Sequence, residues 1–485
     1  MMFNKYVRIG LIGCSVLALQ ACGERDWQAT ATADVEHMFT TLRDSHPGPV
    51  DPDNPGFASA LDANYARALA LASEVEDEAG YFYALRAFTT PFQDAHLSVG
   101  FYRAIEREQA WPGFVVTGDG RDVTVVSRVT DAAPPVGALL LGCDGQSITS
   151  MIETRVQPFI GNWSVASARA GDLPYLVIDS DNPFVPRLTA CDFETADGRE
   201  TYTLEWQPYT DEIATGIANR FEPRIENGVG LRWVGNIAWI SVGSLDVTNP
   251  ETATDFATLQ SALAEQADAL VAADRIVIDL RGNLGGASEP GRALAASLFG
   301  ADFIAATRPR ITQVEWRASR ANLDKLDLYL PMMETALGAD APVVARMQQI
   351  HAGMSQALET GDAYFSEPAE ARPAFERAPM ALDMPPVFVL TGRRCVSACL
   401  DLVDTLKATD RVTQIGQPTS GDTHYLEVIT EDLPSGIAQL SFPTAVHRGR
   451  ARADNAVHEP ELVFNGDMQD LEALEAWVRD LEVEP

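Results

Sequence analysis

Apolar residues recur at helical spacing in the first hundred positions. Val35, Phe39 and Leu42 share one face and Ala60 to Ala72 is rich in Ala and Leu, so residues 27–100 are expected to be helical. The stretch from His46-Pro47-Gly48-Pro49 to Pro55-Gly56 should separate a first helix from a second. Over residues 112–207 the period changes. Phe114-Val115-Val116 and Val123-Thr124-Val125-Val126, joined through Gly118-Asp119-Gly120, predict a hairpin, and Thr201 to Trp206 an alternating strand. From 229 onward the apolar runs Leu231–Val234, Ile237–Val242, Arg275–Leu280 and Pro386–Leu390 read as strands. The patterns Phe256–Leu270, Pro290–Phe299 and Val396–Lys407 between and after them read as helices. Strand, glycine turn and helix follow one another twice, which predicts an α/β layer. The polar, Pro-containing segment 306–379 looks like a helical insertion in it.

These patterns divide the chain into a leader (1–21), a helical domain (22–107), a β-rich domain (108–210) and a split α/β core (225–305 and 380–480) around the insertion (306–379). The leader has Lys5 and Arg8 ahead of an apolar run from Ile9 to Leu19, which is of secretory-signal length and too short to span a bilayer. It ends in Leu19-Gln20-Ala21-Cys22, which resembles a bacterial lipobox and implies cleavage before Cys22 and lipidation of that residue. A plain secretory signal with Cys22 as bystander is the alternative. Gly23 in the next position leans, by the same resemblance, toward the outer membrane. The expected location is therefore the cell envelope, lipid-anchored and facing the periplasm.

The 485 residues are 46% hydrophobic and 22% charged, an ordinary globular balance. With 69 acidic against 36 basic side chains the formal net charge is −33, which disfavours a nucleic-acid partner because counterion displacement needs a surplus of Lys and Arg. Beyond Cys14 and Cys22, four cysteines remain for an oxidising compartment: Cys143, Cys191, Cys395 and Cys399. Cys143 to Cys191 is the preferred bridge because both lie in one candidate module. Cys395 and Cys399 stand one helical turn apart, a marginal spacing for a disulfide. No second Cys or His pair at ligand spacing accompanies them, so neither a metal nor any other cofactor is implied.

Two glycine-rich strand ends carry the candidate chemistry. In Val277-Ile278-Asp279-Leu280-Arg281-Gly282-Asn283-Leu284-Gly285-Gly286 a buried strand delivers a loop whose amides could converge on an anion. No Lys-Ser/Thr pair follows the glycines, and their spacing is not that of a dinucleotide site. The second run is Val389-Leu390-Thr391-Gly392-Arg393-Arg394-Cys395-Val396-Ser397-Ala398-Cys399-Leu400. Ser397 falls in the first turn of the following helix. There it would be an ordinary N-cap, or a nucleophile whose developing charge the free amides favour. Two such strand ends in one sheet can supply a nucleophile and the amides of an oxyanion hole.

Asp279 to Gly286 followed about a hundred residues later by Ser397-Ala398 resembles the C-terminal-processing, or tail-specific, serine protease family. Gly137-Ala138-Leu139-Leu140-Leu141-Gly142-Cys143-Asp144-Gly145-Gln146-Ser147-Ile148 resembles the strand–turn motif of PDZ domains, and the helical segment ending in Asp94-Ala95-His96 fits the same family. The resemblance spans essentially the whole chain after the leader. It implies a ClpP/crotonase-like α/β core, an N-terminal helical segment, a PDZ-like β-rich domain and serine-mediated hydrolysis of protein or peptide substrates. The family's Ser–Lys branch puts its lysine where Asp422 stands, in Gly416-Gln417-Pro418-Thr419-Ser420-Gly421-Asp422. Lys407 lies on the helix that starts at Ser397 and points away from it, so a Ser–Lys dyad is disfavoured.

The other branch, that of the tricorn core and a chlamydial secreted protease, uses Ser, His and an acid. By resemblance His96 is the base, with His424 a weaker candidate, and Asp454 in Ala453-Asp454-Asn455-Ala456-Val457-His458-Glu459-Pro460-Glu461 the acid, with Glu459 in reserve. The amides of Ala398 and of Gly285 or Gly286 would form the oxyanion hole. The rival reading is an inactive protease-like lipoprotein that binds a hydrophobic ligand or a peptide.

Overall fold

A computed structural model of the chain describes residues 25–221, 223–368, 375 and 378–482. The leader and Cys22 lie outside the described residues. Among the described residues three large sheets and a two-stranded one, Ala110–Trp111 with Gln207–Pro208, organise the molecule, and the site sits where two of the large ones meet.

The α/β core is a six-stranded sheet in the order Val229–Val234, Ile237–Val242, Arg275–Asp279, Val387–Thr391, Val412–Gly416, Leu462–Val463. The first pair is antiparallel and the rest run parallel. Strand alternation sends Ile276, Ile278, Val387 and Val389 to one face, where Phe256, Leu294 and Leu402 pack from three helices. Val277, Phe388 and Leu390 point to the other face, against Leu474 and Val478 of the helix Leu471–Asp480. Both faces are covered, which is why these strands read as unbroken apolar runs.

The second sheet is assembled from distant parts of the chain. Its order is Ser98–Phe101, Ala438–Arg448, Gln313–Arg317, Tyr364–Glu367, with Tyr425–Asp432 paired to Ala438–Arg448 as a hairpin. The N-terminal helices Trp27–Ser45, Phe57–Ala72 and Glu78–Thr89 lie on it, and Val35, Leu42, Leu85 and Phe88 share a core with Leu440, Phe442 and Val446. Two expectations need correction here. The segment 22–107 is not wholly helical, since residues near its end form an edge strand of this sheet. The insertion 306–379 holds the helices Arg320–Leu337 and Pro342–Thr360 but also contributes two strands. Both differences have one cause: short strands show themselves only through partners far along the chain.

The third sheet, over residues 114–203, is antiparallel: Phe114–Gly118, Val123–Arg128, Leu139–Cys143, Ala190–Thr195, Gly198–Thr203. The expected hairpin is its first pair. Cys143 and Cys191 are cross-strand neighbours and form a disulfide.

Candidate active site

Ser397 stands between the strand Val387–Thr391 and the helix Ala398–Lys407. It occupies the N-cap position, yet its hydroxyl makes no capping bond, so the ordinary N-cap role is not the one seen. Its backbone has φ 59° and ψ −129°, a conformation costly for a residue with a Cβ and typical of a serine presented on a tight strand-to-helix turn. Cys395 and Cys399 are bridged across this turn, with Cα atoms 5.4 Å apart. The marginal spacing seen in the sequence is thus used, because Cys395 to Ser397 precede the helix, which begins only at Ala398.

The neighbouring glycine loop is braced from below. Buried Asp279 accepts from the Arg281 guanidinium at 2.8–3.2 Å and from Trp239 Nε1 at 3.0 Å, while Arg281 Nη1 donates to the Met468 carbonyl at 2.5 Å. Fully buried Asn283 donates to the Val242 carbonyl at 2.8 Å, and its Oδ1 accepts the Gly285 amide at 2.7 Å. A Cβ on Gly285 would sit 2.8 Å from Ser397 Cβ, which shows how closely the two strand ends approach. Gly285 therefore spends its N–H on Asn283 and has none left for an oxyanion. Among the described residues, the Gly286 and Ala398 amides have no acceptor.

His96 lies in the loop just before the edge strand Ser98–Phe101 and, with Ser397, Gly286 and Ala398, lines a cleft of about 1170 Å³. Its ring is mostly buried, and both ring nitrogens lack a hydrogen-bond partner. Nδ1 is 3.7 Å from Oδ1 of Asp94, a carboxylate that also accepts the His96 backbone amide at 2.8 Å and the Thr423 hydroxyl at 2.9 Å. Burial raises the Asp94 pKa. Asp422 comes close enough to interact with His96 electrostatically. Burial pushes its pKa up to about 6 against the pull of Arg450, which donates to it at 3.0 Å.

The expected acid, Asp454, is elsewhere. Its carboxylate takes His424 Nδ1 at 2.7 and 2.9 Å and the His424 amide at 2.9 Å. His424 also faces Asp51 at 3.5 Å; burial opposes its charge, but these two carboxylates prevail and push its pKa up to about 9. Those two carboxylates favour the charged form of the imidazole, and His424, unlike His96, is not among the residues lining the cleft. Glu459, the reserve acid, is exposed to solvent. The carboxylate that the structure does place beside His96 is Asp94, which stands in the Asp94-Ala95-His96 tripeptide itself and is not a candidate in the sequence reading. The available signal is a carboxylate two residues before the candidate base.

The insertion closes one side of the cleft, with Pro309, Ile311, Met333, Val343 and Met347 in its lining. Among the described residues no cluster of His, Cys, Asp and Glu side chains is placed to hold a metal ion.

Residues 237–447 match the model of peptidase family S41. This segment of the chain belongs to peptidase family S41. The protein is accordingly a serine peptidase, a hydrolase, and the segment matched contains both glycine-rich strand ends. No curated protein matches it by sequence. Among solved structures it is similar to mature CPAF, with a TM-score of 0.55 at 14% identity over 90% of this chain and 92% of that one. Mature CPAF complexed with lactacystin gives a TM-score of 0.52 at 15% identity over 90% and 94%. At such identity the likeness is one of fold, and its coverage of 90% of this chain reaches well beyond the S41 segment.

Proposed function

We propose that this S41 peptidase is an endopeptidase that cleaves extracytoplasmic protein substrates through a Ser–His–acid mechanism, with Ser397 as nucleophile, His96 as base and Asp94 in place of Asp454 as the orienting acid. With Nδ1 turned to Asp94, Nε2 is left to take the Ser397 hydroxyl proton as Oγ attacks the peptide carbonyl. The same nitrogen returns that proton to the departing amine, and a water repeats the sequence on the acyl-enzyme. The oxyanion formed in each half would be met by the Gly286 and Ala398 amides, the latter at the positive end of the helix Ala398–Lys407. The observation that carries this reading is the uncapped Ser397 hydroxyl on a positive-φ turn, in one cleft with a buried histidine whose ring nitrogens make no hydrogen bond.

The finer assignments follow the same reading. The α/β core is ClpP/crotonase-like, the domain 108–210 is PDZ-like, and the chain is held at the periplasmic side of the outer membrane by lipid on Cys22. An inactive, ligand-carrying chain would have no reason to keep the backbone of Ser397 in a costly conformation.

Fluorophosphonate labelling with mass mapping tests the proposal on the full chain and on its Ser397→Ala and His96→Ala variants. Labelling at Ser397 that is lost in both variants is expected. Absence of labelling between pH 6 and 9 in a folded chain, or labelling untouched by His96→Ala, would overturn it.

A further inference from the structure

A second cavity, of about 580 Å³, lies behind the catalytic loop, between the helix Glu78–Thr89, the β-rich domain and the helix Asp211–Phe221. Nothing in the peptidase chemistry uses it. Its size is that of small-molecule sites, and its walls are largely aromatic, with Phe82, Phe159, Tyr175, Tyr209 and Phe221 contributing.

Its charge is unusual for this acidic chain. Arg86, Arg107 and Arg394 line it, and Asp172 is the one carboxylate among the lining residues, so the lining carries two more positive than negative side chains. Arg86 donates through Nε to the Phe159 carbonyl at 2.5 Å and lies 5.5 Å over the Phe82 ring. Arg107 stacks 4.5 Å over the same ring, donates through Nη1 to Tyr83 at 3.0 Å and keeps a buried Nε without a partner. Burial first, and then the neighbouring Arg107, lowers the Arg86 pKa, as expected for guanidiniums crowded together without enough counter-charge. Desolvated cations of this kind are stabilised by an anion that enters with them.

We propose that this cavity is a binding site for a small organic anion, a carboxylate on an apolar or aromatic body. The carboxylate would meet Arg107 and Arg394, and the body would lie among the aromatic rings. The site also adjoins the nucleophile: Arg394 is three residues from Ser397, and Arg393 donates to the last carbonyl of the helix Asp211–Phe221, Phe221 O, at 3.0 Å. An occupant would therefore press on the segment that carries the serine.

Isothermal titration of the full chain with 4-phenylbutyrate, and with 4-phenylbutanol as its uncharged counterpart, tests the site. Saturable one-site binding of 4-phenylbutyrate is expected, at least tenfold weaker for the alcohol, and at least tenfold weaker for 4-phenylbutyrate itself in both Arg107→Gln and Arg394→Gln. Ser397→Ala should bind as the parent does, which separates this cavity from the catalytic cleft whether or not the peptidase mechanism is right. Arg394 is in a loop, so its variant remains informative should Arg107→Gln unfold. No saturable binding, equal affinity for the alcohol, or affinity retained in a folded Arg394→Gln chain would overturn the proposal.

Discussion

Asp454 is paired with His424, 2.7 Å from its Nδ1, while His96 in the cleft faces Asp94 instead. The carboxylate that sequence resemblance assigns to catalysis is thus bound to another imidazole, and in the proposed mechanism Asp94 takes its place. Asp454→Asn should accordingly change Ser397 labelling less than threefold. Its effect belongs to stability and has a defined pH dependence. The folded-state pKa of His424 is raised from the ordinary 6.5 to about 9, so its ion pairs stabilise fully below about pH 6.5 and lose this contribution as pH rises through about 9. The difference in Tm between parent and Asp454→Asn should be largest near pH 6 and shrink toward pH 10, as read by thermal melts across that range.

Asp94→Asn should slow labelling of Ser397 roughly a hundredfold, within the range of a disturbed general base. In a His96→Ala background the same change should add almost nothing, because a positioning residue acts only through the group it positions. Additive losses in this double-mutant cycle would place Asp94 outside the mechanism.

Asn283→Ala removes the acceptor of the Gly285 amide and the donor to the Val242 carbonyl, both buried. Two orphaned backbone groups cost roughly 2–4 kcal/mol, so urea unfolding should show a loss of that order together with a loss of labelling. Gly285→Ala should abolish labelling although its amide is not an oxyanion donor. The added methyl would meet Ser397 Cβ at 2.8 Å, at a backbone φ of +94°.

The two disulfides should separate stability from activity. Cys143 and Cys191 are 48 residues apart, and closing a loop of that length contributes about 4 kcal/mol in the chain-entropy view. Replacing both with Ser should lower Tm strongly and leave labelling of the folded fraction unchanged. Cys395 and Cys399 are only 4 apart, worth about 2 kcal/mol by the same reasoning, but they clasp Ser397. Their double replacement should cost less stability and slow labelling about tenfold, measured as the rate per folded molecule.

Much of this protein is written locally in its sequence. Ile276, Ile278, Val387 and Val389 announce buried strands by their unbroken apolar runs, and glycines at 285 and 286 mark turns no other residue fits. The hairpin at 114–126 and the Cys143–Cys191 bridge are legible for the same reason: the partners lie within one module. Ser397 is visible as a helix-start serine after a buried strand, though from sequence it could equally be a cap.

Tertiary structure decided the rest. Ser98–Phe101, Gln313–Arg317 and Tyr364–Glu367 are too short to declare themselves, and each becomes a strand through pairing with the sheet around Ala438–Arg448. That assembly is also what carries His96 to a serine about three hundred positions away and diverts Asp454 to His424. A side chain's residue type limits the chemistry it can do. Which carboxylate holds which imidazole depends on distances of a few ångströms across segments that meet only in the folded chain, and local pattern holds no information about those distances.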